Sequence, residues 1–150
     1  MQDIVRSSDE VPIAFERSGG GPPLIIVDGA IAYREVGPSG KLARELSHRF
    51  TVYRYDRRGR GQSGDGSNYS IQREIDDIEA LIEHAGEPAS LLGLSSGAVL
   101  ALDAANRGLA LTKVVAYEPP SLSMTAALPL RRTTANNSSG CSTPIGRVTP

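Results

Sequence analysis

The sequence has one cysteine, no tryptophan and only two histidines among its 150 residues. Because Cys141 has no cysteine partner, an internal disulfide and a zinc ribbon are excluded, and a reducing cytoplasm is the expected compartment. The formal net charge of -1 gives no electrostatic reason to bind nucleic acid or an anionic membrane. No apolar run approaches the roughly 18 residues of a membrane span, and the acidic N-terminus does not resemble a signal peptide. We therefore expect a cytoplasmic chain without a metal or cofactor site.

Short strands and helices are predicted to alternate over residues 1–120. Two extended runs, Gln2–Arg6 and Val11–Glu16, should form a hairpin around the turn SSDE. Four buried-type strands follow, with the sequences LIIVDG, TVYRYD, ASLLGL and KVVAYE. This order predicts the α/β class, with a mostly parallel sheet, an N-terminal antiparallel hairpin and helices on both faces. Ligands of such sheets bind at the carboxyl ends of the strands.

Three helices are predicted between these strands. The first runs from about Lys41 to Arg49, with Ser39 as its N-cap. The second is amphipathic, because its apolar residues recur in steps of three and four; Ser70 should cap it and Gly86 should end it. The third is the small-residue segment SGAVLALDAANRG.

Residues 121–150 differ in character from the rest of the chain. They contain no acidic residue, are rich in Ser, Thr, Pro and Arg, and show no sustained periodicity. A frame offset by one base reads an Asp codon across the Met124–Thr125 junction, and the other shifted codons permit an acidic, proline-bearing segment. We predict that 121–150 is either a disordered tail or an out-of-frame translation.

Two glycine motifs compete for a functional interpretation. Gly59, Gly61 and Gly64 have the G-x-G-x-x-G spacing of a dinucleotide-binding turn, but no helix follows at once and the next strand does not end in an acid. Gly93-Leu94-Ser95-Ser96-Gly97 is G-x-S-x-G between a predicted strand and helix, the context of a nucleophile elbow. A serine that merely caps the helix is the alternative for Ser95.

The segments LIIVDGA, YDRRGRGQSG, LLGLSSGA and VVAYEPP, in this order, resemble the α/β-hydrolase superfamily, in particular small bacterial serine hydrolases. The resemblance covers residues 1 to about 120, the N-terminal part of such a domain. It implies that Ser95 is the nucleophile and that the backbone N–H groups of Ser96 and Ala30 form the oxyanion hole. It also implies that the glycines of YDRRGRGQSG form a structural turn, and that Asp28 stands where many relatives have histidine.

The resemblance also shows what the chain lacks. A serine nucleophile needs a histidine base and an acid, in the order Ser, acid, His, yet no histidine follows Ser95. His48 and His84 are interpreted as structural or surface residues, Asp103 as a surface residue, and Glu118 as a candidate acid.

We therefore expect a fold truncated after the strand that follows the elbow. The expected function is an acyl-bond hydrolase, weak or inactive as written, that acts on a small molecule. The alternative is a non-catalytic ligand-binding or interaction protein on the same fold; a nucleotide-dependent oxidoreductase is a distant third. The strand KVVAYE would be an exposed sheet edge, through which copies of the chain could associate.

Overall fold

The computed structural model describes residues 2–120, which form one six-stranded sheet and three helices. The strands are β1 (Gln2–Arg6), β2 (Pro12–Ser18), β3 (Pro23–Val27), β4 (Thr51–Tyr55), β5 (Ala89–Leu94) and β6 (Leu111–Tyr117). The helices are α1 (Ser39–Leu46), α2 (Ile71–Ala85) and α3 (Ser96–Asn106). The prediction for residues 121–150 lies outside the described residues.

The strands lie in the order β1-β2-β4-β3-β5-β6. β1 and β2 form the predicted antiparallel hairpin, and β2 also pairs antiparallel with β4. The pairs β3–β4, β3–β5 and β5–β6 are parallel. After β3 the chain moves to one side to make β4, and then crosses to the other side to make β5. Such a reversal opens a crevice at the carboxyl ends of the two central strands, β3 and β5.

Helices cover both faces of the sheet, which confirms the predicted fold class. The larger core lies on the face of α2 and α3 and contains Phe15, Ile25, Ile78, Leu91 and Ala101, among others. The smaller core lies under α1 and contains residues such as Leu24, Ile26, Val52 and Leu94. β6 lies at the edge of the described sheet, and its Val115 and Tyr117 are more than half exposed.

The predicted helix ends are correct for α2 and wrong for α1. Ser70 caps α2, since its hydroxyl accepts a hydrogen bond from the Arg73 N–H, and Gly86 ends the helix with φ 76°. In α1, however, Pro38 is the N-cap and Ser39 is the first helical residue. The helix also ends at Leu46 rather than near Arg49.

The reason for the error at Ser39 is that its side chain has another partner. Ser39 is fully buried, and its hydroxyl accepts a hydrogen bond from Arg54 Nε at 3.2 Å. The hydroxyl therefore serves a buried polar network instead of the first turn of α1.

Candidate active site

Ser95 occupies the single residue between β5 and α3. Its backbone has φ 52° and ψ -122°, a conformation that residues other than glycine rarely adopt. Such strain is typical of a nucleophile elbow, where the sharp turn lifts the side chain out of the sheet. Ser95 is exposed and makes no side-chain capping bond to α3. Ser95 therefore takes the N-cap position of α3 without using its hydroxyl as a cap.

Two glycines make this turn possible. A Cβ on Gly93 would lie 2.5 Å from the Ala98 Cα, and a Cβ on Gly97 would lie 2.6 Å from the Asp28 carbonyl oxygen and closer still to that of Val27. Real Cβ atoms essentially never come within 3.0 Å of such neighbours. Both glycines of the G-x-S-x-G motif are thus required for the close approach of β5, α3 and the end of β3.

The loop after β3 lies beside Ser95, as predicted. A Cβ built on Gly29 would lie 3.5 Å from the Ser95 Cβ and 3.9 Å from its Oγ. Ala30 follows in this loop and is exposed. Ser96 is the first residue of α3, so its N–H has no intrahelical acceptor. The loop and the elbow therefore bring the segments of both predicted oxyanion-hole donors, Ala30 and Ser96, to one place.

A groove with a volume of about 550 Å³ lies between α1 and the ends of β5 and β6. Ser95 and Glu118 both line it, together with Leu42, Leu94 and Tyr117. Glu118 directly follows β6, is exposed and has φ 47°. The predicted nucleophile and the candidate acid thus line the same groove, whose surface is mostly apolar.

Neither histidine among the described residues lines this groove. His48 is exposed in the turn after α1. His84 lies near the end of α2, where its ring packs edge-on against Phe15 at a centroid distance of 4.9 Å. Asp103 is half-buried on α3 and pairs with Arg107, at 3.1 Å. All three residues take the structural or surface positions that the sequence predicts.

The glycines of YDRRGRGQSG form a tight turn around a carboxylate. Asp56 accepts hydrogen bonds from the Arg34 N–H and guanidinium and from the Gln62 N–H, at 2.8 to 3.0 Å. Burial alone would raise the pKa of Asp56, but these hydrogen bonds outweigh it and the pKa is lowered. Gly59 and Gly61 both have positive φ, and a Cβ on Gly61 would lie 2.5 Å from the Asp56 Cγ. The next helix begins only at Ile71, seven residues after Gly64, so no helix N-terminus follows the glycines to receive a phosphate. The glycines are therefore structural, and the dinucleotide interpretation fails.

Arg57 and Glu74 form a buried ion pair that sequence reasoning missed. Arg57 NH2 donates to Glu74 Oε1 at 2.6 Å, a second bond joins Arg57 Nε to Glu74 Oε2, and the Tyr69 hydroxyl donates to the same carboxylate. Burial would raise the pKa of Glu74, yet hydrogen bonds from Arg57 and Tyr69 lower it. Arg57 NH1 also donates to the Asp28 carbonyl oxygen at 3.2 Å and lies 3.5 Å from Ser96 Oγ.

Asp28 itself is buried, and its Oδ1 has no hydrogen-bond partner among the described residues. Burial raises the pKa of its carboxyl, and the neighbouring Ser39 hydroxyl and the guanidiniums of Arg54 and Arg57 oppose this shift only in part. The Ser39 hydroxyl accepts in turn from Arg54. Asp28 therefore lies close to the buried polar pair of Ser39 and Arg54.

Neither a metal site nor a membrane-spanning helix is found in the described part of the chain. Within residues 2–120, no three His, Cys, Asp or Glu side chains are grouped so that they could hold a metal ion. None of the helices within these residues has the length and apolar character of a membrane span.

The six-stranded sheet, the strained serine after β5 and the crevice beside it together define a protein of the α/β-hydrolase class. The sequence profile of the Alpha/beta hydrolase family matches residues 19–145, and the chain belongs to this family.

Relatives agree with this assignment. An alpha/beta hydrolase from Sphaerobacter thermophilus is 51% identical, with a TM-score of 0.74 over 79% of this chain and 45% of its own. The N-formylmaleamic acid deformylase Nfo from Pseudomonas putida is 28% identical, with a TM-score of 0.72 over 80% of this chain and 47% of its own. The curated "Uncharacterized hydrolase YraK" of Bacillus subtilis is 32% identical over 95 residues, which are 61% of this chain and 34% of that protein. The chain thus spans less than half the length of each of these relatives.

Proposed function

We propose that this chain carries the nucleophile and the oxyanion hole of a serine hydrolase that cleaves an ester-like or similar acyl bond without a cofactor. The observation that supports the proposal most is the backbone of Ser95. Its φ of 52° places an exposed hydroxyl, unused for capping, at the carboxyl end of β5. The groove at Ser95 has the volume of a small-molecule site. The single cysteine of the chain fits a cytoplasmic enzyme.

In the proposed reaction, Ser95 Oγ attacks the carbonyl carbon of the substrate and the carbonyl oxygen becomes negative. The N–H groups of Ser96 and Ala30 would donate hydrogen bonds to this oxygen, and the N-terminus of α3 would favour its charge. Expulsion of the leaving group then gives an acyl-enzyme on Ser95. Water hydrolyses that ester and restores the serine.

Both halves of the reaction need a base, and turnover should be slow in this chain. The base would take the Ser95 proton during acylation and a water proton during deacylation. Glu118 lines the groove and is our candidate for the acid that would orient such a base. Because triad members act as a unit, a site without histidine keeps only the rate enhancement of its oxyanion hole, about 10³- to 10⁴-fold over water.

An activated ester tests this proposal. Because p-nitrophenolate leaves without a proton, p-nitrophenyl acetate needs no general acid, and the Ser95 proton can pass to water or buffer. Acylation of Ser95 should therefore be slow but detectable, and deacylation should be slower still. We expect one acetyl group per chain by intact mass, mapped to Ser95, with Ser95→Ala unmodified and Ser96→Ala still acylated. Equal acetylation of wild type and Ser95→Ala would refute the proposal.

The second candidate is a non-catalytic binding protein, favoured by the location of both histidines away from the groove. It predicts saturable binding of small acyl compounds in the groove, detected by chemical shifts of Leu94 and Tyr117, without any adduct on Ser95.

A further inference from the structure

The guanidinium of Arg57 lies between the two backbone segments that would form the oxyanion hole. On one side, its NH1 donates to the carbonyl oxygen of Asp28, two residues before Ala30. On the other side, the same nitrogen lies 3.5 Å from the hydroxyl of Ser96. These segments are far apart in the sequence, and Arg57 NH1 contacts both.

The position of this guanidinium is itself fixed. The Arg57 side chain is 7% exposed and the Glu74 side chain 2% exposed, and two parallel hydrogen bonds join them. A paired guanidinium and carboxylate of this kind hold both distance and orientation. Tyr69 binds the Glu74 carboxylate from the loop before α2. The pair thus connects α2 to the crevice at the ends of β3 and β5.

A purely structural ion pair is available for comparison in the neighbouring residue. Arg58 is completely buried and donates to Asp77 at 2.7 and 2.8 Å, to Asp9 and to Ser7. None of these partners belongs to the loop after β3 or to the elbow. Arg57 and Arg58 therefore make similar buried pairs with α2, but only Arg57 reaches the candidate site.

We infer that Arg57, oriented by Glu74, is a positioning residue that sets the separation of the Ala30 and Ser96 N–H groups. This inference rests on the proposed function. A lysine at position 57 could keep the charge but could not bind Glu74, Asp28 and Ser96 in the same geometry, because its ammonium lacks the planar fork of a guanidinium.

Amide hydrogen exchange of the full chain, measured by ¹⁵N NMR, tests the positioning directly. The Ala32 N–H donates to the Gly29 carbonyl oxygen and the Ala98 N–H to the Ser95 carbonyl oxygen, so these two amides report on the loop and the elbow. Arg57→Lys should speed their exchange about tenfold or more, the effect of losing one hydrogen bond to a charged group. Arg58→Lys is the matched control. After correction for its lower global stability, both exchange rates should stay within about twofold of the wild-type rates.

The rate of Ser95 labelling by a fluorophosphonate provides the second measurement. Arg57→Lys should slow labelling about tenfold relative to Arg58→Lys, with Ser95→Ala as the blank. Unchanged exchange at Ala32 and Ala98 in Arg57→Lys would overturn the inference, and so would faster exchange with an unchanged labelling rate. If the wild type is not labelled above Ser95→Ala, the proposed function fails, and the exchange rates alone decide whether Arg57 positions the two segments.

Discussion

Replacing Gly97 by alanine should destabilise the fold, although alanine is the better helix former. The gain in helix propensity is at most about 1 kcal/mol, the value for a helix interior, since Gly97 lies in the first turn of α3. The alanine Cβ would, however, overlap two backbone oxygens, that of Asp28 at 2.6 Å and that of Val27 at a shorter distance. Since neither oxygen can rotate away, we take a cost just above the usual overpacking range of about 1–3 kcal/mol, namely about 3–4 kcal/mol. The net expected loss is about 2–3 kcal/mol of unfolding free energy.

Thermal and urea unfolding of the two variants Gly97→Ala and Gly20→Ala would measure this loss. For a chain of this size, the melting temperature of Gly97→Ala should fall by roughly 6–12 °C. Gly20 is the matched control, because nothing lies within 4 Å of a Cβ placed there and its φ is not positive. Gly20→Ala should be neutral or stabilise by up to about 1 kcal/mol. If Gly97→Ala were as stable as the wild type, the close approach of α3 to the end of β3 would be refuted.

Three further predictions concern other parts of the molecule. Burial raises the pKa of Asp28 above 3.8, so the charged carboxylate lowers the free energy of unfolding at neutral pH. This destabilisation disappears as the pH falls through the raised pKa toward 3.8, because the carboxylate becomes protonated. Asp28→Asn should therefore increase the unfolding free energy in urea at pH 7 and less so at pH 4.5; a larger gain at pH 4.5 would contradict the reasoning. Gly61→Ala should lower the free energy of unfolding by about 2–4 kcal/mol, because an alanine there would have a positive φ and would overlap Asp56. An unchanged urea midpoint would refute the structural role of Gly61. Self-association through β6 should give a concentration-dependent sedimentation coefficient that Val115→Lys abolishes; equal association of the variant would exclude this edge.

The sheet and the elbow could be predicted because their signals are local. Apolar runs of five or six residues, each ended by a turn, indicate buried strands, and the steps of three and four in α2 indicate one covered face. The G-x-S-x-G motif is read from five consecutive residues, and Gly93 is required by contacts with Gly97 and Ala98. Gly97 is required by the end of β3, a contact that is distant in the sequence. The wrong N-cap of α1 arises because the Ser39 hydroxyl binds Arg54, a distant residue on β4.

The buried ion pairs were missed, although the sequence holds a signal for them. Glu74 and Asp77 fall on the same side of α2 as Ile75, Ile78 and Leu81, and all five are buried. A carboxylate among buried apolar residues needs a cationic partner, so two acids on this face call for two bases. The adjacent arginines 57 and 58 provide them. The pairing could have been proposed from the sequence, but the contact of one arginine with the loop after β3 could not, because it depends on the tertiary arrangement.

Active-site labelling shows whether the elbow presents Ser95 as a nucleophile. The full chain would be incubated with a fluorophosphonate and the adduct located by peptide mass mapping. We expect one adduct per chain, on Ser95, that is absent from Ser95→Ala and from unfolded protein. No adduct, or an adduct spread equally over Ser95, Ser96 and other exposed serines, would contradict it.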